Sequence, residues 1–114
     1  MNTNDLPPAA RLAALIEAGR AAHPNLRHSK GLGMGQDTAC ALEFACLGAG
    51  LGRPLFTAEA ARSLGLEFSY AYGMPGHQHN LAEQVVWDND HGKSLDEILL
   101  SLREGELARI ECTK

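Results

Sequence analysis

The stretch 37-DTACALEFACLGAGLGRP-54 decides how this chain folds. Between its polar ends it is apolar nearly all round, with Glu43 the exception. A helix with no polar face belongs in the middle of a bundle rather than on its surface. We therefore expect a central buried helix over 38–50, with Asp37 as N-cap and Gly48 or Gly50 at its exit. Ala39, Ala41, Ala45 and Gly48 are small, so neighbouring helices can pack close against it.

The flanking sequence supplies those neighbours. In 7-PPAARLAALIEAGRAAHP-24, a proline suits the first turn and Pro24 ends the helix, while Leu12, Leu15, Ile16 and Gly19 form one stripe. A polar, glycine-rich connector follows at 25-NLRHSKGLGMGQ-36. The segment 57-TAEAARSLG-65 reads as a short helix with Thr57 as N-cap and Gly65 as stop. In 80-NLAEQVVWDND-90, Asn80 is the N-cap and Glu83 stands three residues on. Leu95, Ile98, Leu99 and Leu102 recur at helical spacing in 94-SLDEILLSLREG-105. Two stretches alternate with period two, 66-LEFSYAY-72 and 107-LARIEC-112, and are candidates for a two-stranded β ribbon (66–72, 107–112). The expected architecture is mostly α, a single domain over 1–114, with four to five short helices around the central one and room for that ribbon.

Composition excludes several classes. The chain has 114 residues, ordinary apolar and charged fractions of 45% and 21%, and a formal charge of −4. The first seventy-nine residues hold six acids and six bases; residues 80–114 hold eight acids and four bases and carry the whole −4. That balance argues against a phosphate-backbone partner and suits a basic protein partner. No apolar run reaches the ~20 residues that span a bilayer, and the N-terminus lacks a secretory pattern. Three cysteines, an odd number, fit a reducing compartment, so a cytoplasmic location is expected. On one helix Cys40 and Cys46 would lie roughly 9 Å apart, too far for a disulfide.

The densest polar segment is 85-VVWDNDHGKSLDEILLSL-102. As a calcium loop starting at Asp88 it fails, because positions 5, 6 and 12 are Gly92, Lys93 and Leu99. As a join between two helices every residue has a task. Gly92 can take the left-handed conformation that ends a helix, and Ser94 with Glu97 makes a capping box. Asp96 and Glu97 lie in the first turn, where the helix dipole favours acids. A DNA-reading helix is rejected on charge: the second helix would offer Asp96, Glu97, Ser101 and Glu104 to solvent, with Arg103 the only base.

These residues also carry a resemblance. The segment "WDNDHGKSLDEIL", preceded by "CALEFACLGAG", resembles a family of small helical proteins of bacteria and their phages. Its pattern is C-A-x-G-A-L followed by W/L-N-D-x-x-G-x-S-x-x-E-I. The matches are Trp87, Asn89, Asp90, Gly92, Ser94, Glu97 and Ile98 in the second motif and Cys40 and Ala41 in the first. Glu43 stands where the family has glycine. The likeness spans roughly residues 38–103 and implies a mostly helical domain. It implies no activity. By analogy, a phage-type inhibitor of a host defence complex is one specific version of a protein-binding role.

Two constellations hold chemistry-bearing residues. His77, His79 and Glu83 in "HQHNLAE" present two imidazoles and a carboxylate, a set that suits a metal ion if the three converge. Cys40, near a helix start, could serve as a nucleophile with a histidine base. "GLGMGQDT" (31–38) is neither a dinucleotide fingerprint nor a P-loop. The leading expectation is a non-catalytic protein-binding module without a cofactor. Its expected surface is Trp87, Asp88, Asp90, His91, Asp96 and Glu97; a small metal- or cysteine-dependent enzyme is the alternative.

Overall fold

The computed structural model describes residues 6–29, 37–54 and 57–112, with 105–112 as backbone only. The glycine-rich loop 31–36 lies outside the described residues. Helices run over Pro8–Ala22 (α1), Ala41–Gly48 (α2), Thr57–Ser63 (α3), Leu81–Asp90 (α4) and Leu95–Cys112 (α5). Two short strands, Arg27–His28 (β1) and Thr38–Ala39 (β2), pair in parallel with Arg27 opposite Thr38 and His28 opposite Ala39. The fold is mostly α, as its periodicities lead one to expect.

α2 is the centre. Its residues from Ala41 to Cys46 are all buried, Glu43 included. α1 lies against it so closely that Gly19 meets the backbone of Phe44 and Gly48 meets that of Leu15. α3, α4 and α5 complete the shell, and Leu12, Ile16, Leu42, Phe44, Val85, Ile98, Leu99 and Leu102 fill one apolar core. α5 is tied back to α1 at the surface by Arg20 to Asp96 at 2.8 Å and Arg103 to Glu17 at 2.6 Å. Exposed pairs of this kind stabilise by no more than ~1 kcal/mol each.

Two sequence expectations are corrected. The ribbon forms between residues 27–28 and 38–39, not between 66–72 and 107–112. Residues 107–112 continue α5, because Leu, Ala, Arg and Glu favour helix and Gly105 alone, at about 1 kcal/mol, does not break it. Residues 66–72 spend their backbone groups elsewhere: Leu66 N–H donates to Ala61 O, Ser69 N–H to Glu83, and Tyr72 N–H to Ser69 O. The central helix also starts later than expected. Asp37 pairs with Arg27 at 3.0 Å, β2 intervenes, and Cys40 becomes the N-cap. The Cys40 N–H donates to Glu43 Oε1 at 3.1 Å, and the Glu43 N–H reaches back to the Cys40 side chain.

Asn89 joins distant segments. It is buried on α4, and its Oδ1 accepts from the Ala41 N–H at 3.0 Å and from His28 Nε2–H, while its Nδ2 donates to Ser29 O at 3.1 Å. Asn89→Ala will leave the Ala41 N–H at the start of the buried helix and the Ser29 carbonyl without their partner. Buried groups stripped in this way cost on the order of 1–3 kcal/mol. The midpoint of urea unfolding should fall accordingly, with the slope unchanged.

Candidate functional site

The site is built on α4 and the loop that precedes it. Asn80 caps α4: its Oδ1 accepts from the Glu83 N–H at 3.0 Å, and Glu83 Oε1 accepts from the Asn80 N–H at 2.9 Å. Glu83 is wholly buried and takes two further donors, His77 Nε2–H at 2.9 Å and the Ser69 N–H at 2.8 Å. Burial works to raise its carboxyl, but the donors from Asn80, His77 and Ser69 prevail and hold it below the ordinary carboxylate value. Glu83 therefore pins the 66–80 loop onto the first turn of α4.

The expected metal set does not assemble. His77 turns in to Glu83, whereas His79 turns to Tyr72 and Trp87, with ring centroids 5.4 and 5.1 Å away. Among the described residues, no three His, Cys, Asp or Glu side chains converge as a metal-holding group. The sequence signal that accounts for Glu83 is its place three residues after Asn80, which marks a capping carboxylate.

Instead, the rings form a ladder. Phe68 meets Tyr72 at 5.0 Å, Tyr72 meets His79, His79 meets Trp87, and Trp87 stacks on His91 at 4.0 Å with an interplanar angle of 24°. Such separations are those of favourable aromatic pairs. His91 is held in place by its Nδ1–H, which donates to Trp87 O at 2.8 Å across the last turn of α4. Gly92 follows with φ 88°, so the chain reverses and Ser94 caps α5. The Glu97 N–H donates to Ser94 Oγ, and the Ser94 N–H to Glu97 Oε1, each at 3.1 Å. The helix–turn–helix join read from the sequence is present in each of these parts.

The six residues expected at a binding surface divide. Trp87, at 40% exposure, and Asp90 and His91 lie together on the exposed end of α4. Asp96 is exposed but paired with Arg20, and Glu97 is exposed but engaged in the cap. Asp88 departs from the expectation: it is 7% exposed, accepts from Gln84 Nε2 at 3.0 Å and faces Lys93 Nζ at 3.5 Å. Period 3.6 carries it one position round from Trp87 onto the inner side of α4. Tyr70 (96% exposed) and Met74 (62% exposed) stand out from the same loop as Tyr72.

Cys40 and Cys46 are both buried. Burial pushes the Cys40 thiol up to about 12; the Glu43 N–H offsets this only in part, and the Glu43 carboxylate adds to it. Burial, then the charges of Glu43 and Glu59, push Cys46 up to about 11. A thiol so placed is a core group rather than a nucleophile. In a Cys112→Ser variant, a disulfide-exchange reagent at pH 8 should label neither cysteine in the native protein and both after denaturation.

No family model matches the chain, and neither a curated protein nor a solved structure does. Among the described residues, no helix is long and apolar enough to cross a membrane.

Proposed function

We propose that this protein is a non-catalytic binding module that engages another protein through the exposed end of α4. The observation that carries this reading is Trp87. It is partly exposed, with its ring set between those of His79 and His91. A large ring fixed before binding loses little entropy when a partner covers it, which is why Trp dominates binding hot spots. Asp90 and His91 beside it supply a polar rim. The charge of −4 in residues 80–114 suits a partner with basic residues at the contact.

The test is capture from a bacterial lysate by immobilised wild-type protein, set against Trp87→Ala and Asp90→Lys. Both positions are exposed, and neither residue belongs to the apolar core. A specific partner should be retained by the wild type. Truncating a central Trp costs ~2 kcal/mol or more, on the order of 30-fold in affinity, so Trp87→Ala should lose it. Equal capture by all three proteins, with circular dichroism unchanged, would overturn the reading.

A further inference from the structure

The stack that ends the ladder has a second property. The outermost ring is an imidazole, exposed to solvent, lying 4.0 Å from the indole and nearly parallel to it. Its Nδ1–H is committed to Trp87 O, so the Nε2 edge is where a proton is gained or lost. Proton uptake there puts a cation against the indole face, a contact that polarises the ring. It also puts that cation at the carbonyl end of α4, where the helix dipole favours positive charge. Among side chains, imidazole is the one suited to exchange a proton within the physiological range.

The charges around the stack come from four directions. α4 contributes Glu83, Asp88 and Asp90; the turn contributes Lys93, which faces Asp88 at 3.5 Å. The loop before α4 contributes Tyr72, His77 and His79, and His77 is engaged with Glu83. His28 on β1 reaches Asn89, the residue before Asp90. Of the acids on α4, Asp90 is the exposed one, and it is next to His91 in the chain. A single proton on His91 thus cancels the acid at the rim, and a second on His79 would place cations on both sides of Trp87.

We propose that the His91–Trp87 stack is a proton-operated switch that changes the charge and electronic state of this face while the fold stays intact. It deepens the binding reading by giving the regulation of that site, and it rests on that reading only for what is regulated. A basic partner favoured at pH 7.5 would be released as the face turns cationic. The stack itself is a property of the free chain, so it can be tested without any partner.

Trp87 is the only tryptophan, which makes its emission a direct reporter. The experiment follows that emission and far-ultraviolet circular dichroism from pH 8 to pH 5 in the wild type, His91→Gln and His79→Gln. An imidazolium against an indole withdraws electron density and quenches it. The expected result is a fall in emission as the pH is lowered from 8 to 5, with no loss of helix. His91→Gln should abolish most of the fall and His79→Gln should keep most of it, because His91 lies flat at 4.0 Å whereas His79 is tilted by 45° at 5.1 Å. Flat emission, a fall that survives His91→Gln, or a fall that accompanies helix loss would each overturn the proposal. The expected quenching without any captured partner would leave the switch standing and remove the binding reading; capture with flat emission would do the reverse.

Discussion

Gly19→Ala should lower stability by about 3 kcal/mol or more, at or beyond the upper end for overpacking. The added Cβ would stand 1.9 Å from Phe44 O and 2.8 Å from Phe44 C, both backbone atoms of α2. Gly48→Ala meets the same obstacle from the other side, 1.9 Å from Leu15 O and 2.8 Å from the Gly19 N. No rotamer relieves a clash between a Cβ and a carbonyl, so the two helices must move apart along their contact. That movement opens the core around Ile16 and Phe44, which α1 and α2 bury between them. A domain of this size is stable by only about 5–15 kcal/mol, so a melting temperature lower by more than about 10 °C is expected. The double variant should cost less than the sum of the single ones, because the second Cβ enters space opened by the first. Gly52→Ala is the control: a Cβ there meets nothing within 4 Å, and stability should change little. A melting temperature unmoved by Gly19→Ala would refute the close crossing of α1 and α2.

The second large effect belongs to Glu83. Replacing it by alanine strips the partner from the Asn80 N–H, the Ser69 N–H and His77 Nε2–H at once. Removing one member of a buried, hydrogen-bonded charged group costs on the order of 3–5 kcal/mol. The effect also depends on pH in a defined direction. The folded-state carboxyl is held below its ordinary value, so its stabilisation is fully present above the unfolded-chain value of ~4.3 and is lost as pH falls through the folded value. The stability gap between the wild type and Glu83→Gln should therefore be widest near neutrality and shrink below about pH 4. Denaturant titrations at pH 7 and pH 3.5 measure it. A gap that is constant with pH would mean that Glu83 acts by shape alone.

Local patterns were legible in the sequence, and contacts between distant segments were not. The boxes Asn80–Glu83 and Ser94–Glu97 are each four residues long, and each forms as its spacing predicts. The Cys40–Glu43 box escaped because cysteine is not among the usual capping residues, although a glutamate three positions later marked it. The β pairing escaped for another reason: two residues per strand leave no period to read. At the site, Trp87, Asp90 and His91 are found where helical spacing puts them. Asp88 is not on that surface, since a buried acid needs partners, and Gln84 and Lys93 are recognised as such only once the helix is laid on its core. His77 and His79 look equivalent as letters. One faces a buried carboxylate and the other an indole, a difference set by the loop's course rather than by either residue.

The buried amide of Asn89 has a consequence for how the fold comes apart. Its contacts are with residues 28, 29 and 41, which are separated from it by about half the chain. None of them can form inside one helix or one hairpin. Their geometry exists only when the ribbon, the start of α2 and the end of α4 are all in place together. The bond from the Ala41 N–H is therefore a vote that the three segments cast jointly. Partial opening of any one dissolves it, so the central helix and the Trp87-bearing helix should open as one cooperative unit rather than fray in turn.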